Sequence, residues 1–169
     1  MKTSPFLLVL LIFISSCSRV AYIVRHAEKA TVGDTAAKMM TNDSPLSEAG
    51  KVRAIVLKDE LHNKHIRHIY STNFICTLST AEPLSQAVSV PVEKYSNVDS
   101  LVRLIKSSKG NAVVVGHGDT VDDIVNKLCG STKIDSDLKK GDYDNLFIVT
   151  FRGKKVSFSR RKYGYPSNP

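Results

Sequence analysis

Two stretches of this chain are apolar at every position and then stop abruptly. Val20-Ala-Tyr-Ile-Val24 ends at Arg25 and His26, and Ala112-Val-Val-Val115 ends at Gly116 and His117. Unbroken apolar runs of this length suit strands of a parallel sheet that are buried on both faces. Between them, the alternating Ile66-Arg-His-Ile-Tyr70 and the shorter Pro91-Val-Glu-Lys-Tyr95 read as two further strands. Helical spacing fills the intervals. Val98, Leu101, Val102 and Ile105 share one face, as do Val121, Ile124, Val125 and Leu128, with Gly130 placed to stop the second helix. Ser47 is placed to cap a helix carrying Ala49, Val52, Val56 and Leu57, and a further helix is expected from Thr77 to Ala87, distorted by Pro83. After Gly130 the pattern changes to Leu146-Phe-Ile-Val-Thr-Phe151, an Arg-Gly-Lys-Lys turn and the alternating Val156-Ser-Phe-Ser159, a hairpin signal. The expectation is one α/β domain: a three-layer α/β/α sandwich whose mainly parallel central sheet carries an antiparallel edge hairpin. There is no internal repeat, and the tail from Tyr163 to Pro169 is expected to be loose.

Composition narrows this picture. At 169 residues and 42 % apolar content, the chain is long enough for one core and too short for a multidomain machine. The formal charge of +8 is spread in short groups (Lys139-Lys140, Lys154-Lys155, Arg160 to Lys162) without interleaved aromatics, so no nucleic-acid partner is expected. The amino end has its own logic. Lys2 precedes an apolar run from Phe6 to Ile14, too short to span a bilayer, followed by Ser15-Ser16-Cys17. This resembles a bacterial lipoprotein signal. Residues 1–16 are then the signal peptide, Cys17 the lipidated terminus, and residues 17–169 the working domain, exported and held on a bacterial membrane by its lipid. Removing residues 1–16, which contain Lys2 and no acid, leaves 153 residues and a formal charge of +7.

In open α/β sheets the ligand crevice lies at the carboxyl ends of the strands, so Arg25, His26 and His117 should all open into it. Neutral imidazole is a good nucleophile toward phosphorus, arginine offers a planar fork for phosphate oxygens, and a second imidazolium can neutralise a transferring phosphoryl group. The set suits phosphoryl transfer through a covalent phosphohistidine.

Four segments carry a family resemblance. Tyr22-Ile-Val-Arg-His-Ala-Glu-Lys29, Pro45-Leu-Ser-Glu-Ala-Gly50, Ile69-Tyr-Ser-Thr-Asn73 with Thr80-Ala-Glu-Pro-Leu84, and Val113-Val-Val-Gly-His-Gly-Asp-Thr120 together resemble the histidine phosphatase (phosphoglycerate-mutase-like) superfamily. The resemblance implies a phosphatase acting on a phosphomonoester or related phosphoryl compound, small or protein-borne. His26 would be the nucleophile, Arg25 the phosphate holder, and His117 the group that completes the pocket; no metal or other cofactor is required. One position departs from the pattern. Where the family carries a second phosphate-binding arginine this chain has Cys76. Losing such a preorganised donor typically costs about 2.7–4 kcal/mol, roughly 10²–10³ in rate, so weakened activity is expected. Lys29, Lys51 and Arg53 are the cations available to lean into the gap. The alternative is a pseudophosphatase that binds phosphorylated or anionic ligands without turnover.

The general acid is left unassigned among Glu28, Glu82, Glu93, Asp99 and Asp119, with Asp119 expected to cap the following helix. Cys76 and Cys129 are expected at opposite ends of the sheet as two free thiols. His62, His65 and His68 straddle a helix-to-strand junction and read as solvated side chains, without a metal.

Overall fold

The computed structural model describes residues 18–31 and 43–167; residues 1–16, expected as a signal peptide, and Cys17 lie outside them. The elements run β1 (Ser18–Arg25), α1 (Glu48–Leu61), β2 (Ile66–Ser71), α2 (Ile75–Val88), β3 (Val92–Lys94), α3 (Val98–Ser107), β4 (Asn111–Gly116), α4 (Val121–Cys129), β5 (Asn145–Arg152) and β6 (Lys155–Lys162). They form one six-stranded sheet in the order β3-β2-β4-β1-β5-β6. The first four in that order are parallel, and β5 and β6 add the antiparallel edge hairpin. This is the expected α/β/α architecture.

Side-chain alternation sends each central strand into two cores. Ala21 and Ile23 of β1, Ala112 and Val114 of β4, and Phe147 and Val149 of β5 pack with Leu101, Ile105, Ile124 and Leu128 of α3 and α4. Tyr22, Val24, Val113, Val115 and Leu146 face the other way, onto Leu57, Leu61, Ala81 and Leu84 of α1 and α2. A strand buried on both faces has no polar positions to spare, which is why β1 and β4 read as unbroken apolar runs. Each fully buried aliphatic side chain contributes about 1.5–3 kcal/mol.

The helices begin and end where the sequence says they should. Ser47 accepts a hydrogen bond from Gly50 N at 3.1 Å at the start of α1. Gly130 closes α4 in the left-handed region at φ 69°, which glycine adopts at no steric cost. Arg19 crosses under the sheet to donate to the carbonyls of Ile105, Lys106 and Ser108, a cation on the carboxyl end of α3.

α2 runs from Ile75 to Val88 with Pro83 inside it. One expectation is corrected. The tail is docked up to Ser167: Tyr163 is 2 % exposed, its N–H donates to Asp144 O at 2.9 Å, and Ser167 closes on Tyr143 N and on the Asp144 carboxylate. Tyr163 is the apolar anchor that holds the tail, filling the α1 and α2 core beside Leu57 and Leu146.

The connection after β1 crosses to one face of the sheet and that after β4 to the other, so these neighbouring strands diverge at their carboxyl ends. A crevice at such a switch point is where open α/β sheets bind ligands.

Candidate active site

The pairing of β1 with β4 sets Arg25 opposite Gly116. The next residues on each strand are His26 and His117, and His26 N donates to Gly116 O at 2.9 Å. The backbone thus delivers two imidazoles side by side, with ring centroids 5.4 Å apart. They line a cleft of about 390 Å³ with Arg25, Gly118, Asp119 and Lys140.

His26 is 4 % exposed. Its Nδ1 lies 2.7 Å from Ala27 O, and because a carbonyl only accepts, Nδ1 carries the proton and Nε2 keeps the lone pair. Burial drives its pKa down to about 4, with Arg25, Lys29 and His117 pushing the same way against the Ala27 carbonyl. The imidazole is therefore neutral across the physiological range, as a nucleophile must be. His117 is also pushed down, chiefly by burial and further by Lys29 and Arg25, while Asp119 and Asp43 oppose the shift. Its Nε2 meets Thr72 Oγ1 at 2.8 Å, and Thr72 Oγ1 meets Thr77 Oγ1 at 2.9 Å. Phe74 sets the edge of its ring against His117, centroids 5.0 Å apart.

Arg25 is more constrained than a free phosphate fork. Its Nη1 donates to the carbonyls of Lys139 and Lys140 at 2.7 and 3.1 Å, and its guanidinium stacks 4.4 Å from the Tyr143 ring centroid. Among the described residues its buried Nε has no hydrogen-bond partner. A side chain at Gly118 would stand 3.2 Å from Arg25 Cζ, so the glycine lets the loop after β4 pass close to the guanidinium.

The loop after β1 is pinned by the segment before α1. Ser47 N donates to Glu28 O, Ala30 N donates to Pro45 O, and Lys29 forms a bridge with Leu46. Gly50 sits so close to this loop that a Cβ there would fall 2.2 Å from Glu28 O. Two of the motif segments are therefore halves of one support.

Cys76 is fully buried between Ala27, Leu46 and Ala54, and burial raises its thiol pKa. Its sulfur and one ring nitrogen from each of His26 and His117 all lie within 4.8 Å of one another, so the departure from the family pattern sits directly in the site. Lys29 faces it: its ammonium favours the Cys76 thiolate by hydrogen bond and charge, and acts on both histidines. The other two cations are committed elsewhere. Arg53 makes a bidentate pair with Glu28 at 2.6–2.9 Å and donates to Tyr163 O, and Lys51 pairs with Glu48 at 2.6 Å in solvent.

The same accounting sorts the acids. Glu28 is held by Arg53, Glu82 bonds Gln86, Glu93 faces His68, and Asp99 pairs with Lys127. Of the five, Asp119 alone lines the cleft, and the helix cap expected of it is taken by Thr120. Cys76 and Cys129 are free thiols. His62 and His68 bond the carbonyls of Asp59 and Lys109, and His65 takes φ 50° in the turn between α1 and β2.

Four contributors were not foreseen. Thr72 stands inside a quoted motif, but its link to His117 had no sequence signal beyond that. Phe74 and Thr77 flank Cys76 in the stretch that resembles the family pattern, but their contacts with His117 and Thr72 come from tertiary packing, as does the whole contribution of Tyr143.

The family model for the histidine phosphatase superfamily (branch 1) matches residues 21–102. No curated protein matches the chain by sequence. Among solved structures, the protein histidine phosphatase SixA complexed with tungstate is similar at a TM-score of 0.64 and 18 % identity, covering 85 % of this chain and 96 % of that one. Mycobacterial hydrolase 2 is similar at 0.63 and 12 % identity, covering 90 % and 93 %, and YhfR of Bacillus stearothermophilus at 0.61 and 15 %, covering 82 % and 94 %. The sequence match through the first three strands and the shared fold together support a place for this chain in the histidine phosphatase superfamily.

Proposed function

We propose that the chain is a phosphatase that hydrolyses a phosphomonoester or related phosphoryl compound through phospho-His26. The observation that carries this reading is the buried, neutral His26, its Nδ1–H bonded to Ala27 O so that Nε2 keeps the lone pair, beside a second imidazole and two cations. Nε2 attacks phosphorus, the bond from phosphorus to the leaving oxygen breaks, and positive charge growing on the ring is met at Nδ1–H by the carbonyl. Water then attacks the phosphohistidine, releasing phosphate and restoring the imidazole. Arg25 Nε, His117 and Lys29 are the donors for the phosphoryl oxygens. Lys29 takes the part of the arginine replaced by Cys76, as a point charge lacking the bidentate fork. Asp119, next but one to His117 and one of two carboxyls lining the cleft with Asp137, is the candidate acid for the leaving oxygen. Acyl phosphates and phosphohistidine, whose leaving groups need little protonation, are the substrates this sparse site suits best.

The test is hydrolysis of acetyl phosphate and p-nitrophenyl phosphate by wild type and His26→Ala, with acid-quench trapping of the phosphoenzyme. Turnover and the trapped adduct should both vanish in the variant. A His26→Ala rate equal to wild type overturns the reading. One observation favours the rival binding role: both Arg25 Nη1 contacts are spent on backbone carbonyls. A folded wild type that binds tungstate but turns over neither compound selects it.

Export and lipidation at Cys17 belong to the same proposal. β1 starts at Ser18, directly after Cys17, and the cleft lies at its other end, so the anchored domain would hold the site away from the membrane. Incorporation of radiolabelled palmitate that Cys17→Ser abolishes is the expected result.

A further inference from the structure

Replacing an arginine by Cys76 removes one cation from the pocket and puts a soft ligand in its place. His26, Cys76 and His117 come from three different elements, the ends of β1 and β4 and the first turn of α2, yet their ligating atoms lie within 4.8 Å of one another. Zinc binds sulfur at about 2.3 Å and imidazole nitrogen at about 2.0–2.1 Å, which puts tetrahedral ligands roughly 3.3–3.6 Å apart. Side-chain rotation of about 1 Å closes the difference. Two imidazoles and a thiolate with a fourth position open to a cleft is a donor set that favours Zn²⁺ over hard cations such as Mg²⁺.

We propose that His26, Cys76 and His117 form an inhibitory Zn²⁺ site, which holds the phosphatase off by occupying the lone pair of its own nucleophile. The inhibitory half rests on the catalytic reading above; the binding half does not.

The surroundings fit. His26 offers Nε2 while Nδ1–H is held by Ala27 O at 2.7 Å, the arrangement in which a backbone carbonyl orients a metal-bound histidine. Because Nδ1 holds its proton on the Ala27 carbonyl, Nε2 can ligate without His26 losing a proton. The charged groups acting on the cluster or lining its cleft are Arg25, Lys29 and Lys140 against Asp119, Asp43 and Asp137, three of each sign. An arginine at position 76 would tip that balance against any cation. Lys29 must swing away from the sulfur, which its four-carbon stem permits. The Cys76 thiol releases its proton to solvent as the metal–sulfur bond forms, and no redox step is involved.

Co²⁺ serves as the coloured stand-in for Zn²⁺. Titrating it into the metal-free full chain should produce thiolate-to-cobalt charge-transfer absorption that Zn²⁺ then bleaches. Cys76→Ser should lose that band and bind Co²⁺ at least about 100-fold more weakly, since even removing a group that only orients a ligand commonly costs 10–100-fold. Circular dichroism and a thermal melt confirm that the variant is folded, and Cys76→Ala provides a second check. Zn²⁺ should inhibit hydrolysis of acetyl phosphate by the wild type, a chelator should restore it, and the ratio of rates with and without Zn²⁺ should approach one in Cys76→Ser. Absence of the charge-transfer band, or its persistence in both Cys76 variants, overturns the site. A wild type that shows the band but has no phosphatase activity under any condition keeps the zinc site and refutes the catalytic reading instead.

Discussion

The cleft is built in two ways. At the ends of β1 and β4, backbone register does the work: Arg25 faces Gly116 across the ladder, so the next residue on each strand is a histidine at the same height. Nothing about the imidazoles themselves is needed to bring them together. At the end of β2 the site is made by side chains reaching across: Thr72 to His117, Thr77 to Thr72, Cys76 toward both histidines with Lys29 beside it. The first construction is as stable as the sheet core. The second can change by single substitutions without disturbing a strand, and that is where this chain departs from the family pattern it resembles. Position of the nucleophile is a property of the fold, whereas the charge that greets the phosphate is a property of a few side chains.

The backbone support of the cleft is the costlier half to attack. Gly50→Ala places a methyl group 2.2 Å from Glu28 O, and the nearest atoms all belong to the Glu28 backbone, so no side-chain movement can relieve the clash. Backbone has to shift, with an expected destabilisation on the order of 2–4 kcal/mol. In a domain of this size each kcal/mol lowers Tm by about 2–4 °C, so a thermal melt should fall by roughly 5–15 °C. An unchanged Tm would mean that the loop is not pinned as described. Arg53→Met comes next: it strands the carboxylate of Glu28 against a buried methyl and frees Tyr163 O from its donor, with an expected loss of about 3 kcal/mol read from urea denaturation.

What the sequence made legible follows the same division. The unbroken apolar runs ending at His26 and His117 placed both imidazoles at one sheet edge, because a doubly buried strand leaves its pattern in every residue. Ser47 and Gly130 announced helix ends through side-chain and backbone rules that act locally. Cys76 stood out against the family pattern, but which cation would face it did not. Lys29, Lys51 and Arg53 differ only in their partners, and those partners, Glu28, Glu48 and Tyr163 among them, come from other parts of the chain. Tyr143 and the docked tail were illegible for the same reason. A segment of mixed polarity after the last strand carries no period, and only the space beside Leu57 and Leu146 decides that Tyr163 fills it.

A pH titration sharpens the register side of the comparison. His26 has its pKa lowered from 6.5 to about 4 in the folded chain, so the unfolded chain binds the proton more readily. The stability tied to neutral His26 is complete above about pH 7 and is lost as pH falls from 6.5 toward 4. By pH 5 the loss amounts to about 2 kcal/mol. Denaturation midpoints of wild type and His26→Asn, compared at pH 7.5 and 5, isolate this contribution. Wild type should lose that much more than the variant, and an equal loss in both would show that His26 is not held neutral by burial.

The smallest expected effect tests the side-chain half most directly. Lys29→Met keeps the stem and removes the charge, and if that ammonium stands in for the absent arginine, kcat/KM on acetyl phosphate should fall by about 10–100-fold with little change in Tm. Lys51→Met, whose ammonium pairs with Glu48 in solvent, should leave the rate unaltered. Loss of rate in Lys29→Met has a duller explanation if the loop merely shifts. Adding Cys76→Arg to Lys29→Met separates the two. The arginine would rise from the first turn of α2 into the space the ammonium vacates, restoring a fixed cation between His26 and His117. Recovery of most of the lost rate would establish that the pocket needs the charge and is indifferent to which segment supplies it. Failure to recover, with the double variant folded, would show that Lys29 acts by holding the loop after β1 against Leu46, and the cation at the end of β2 would have no substitute in this chain.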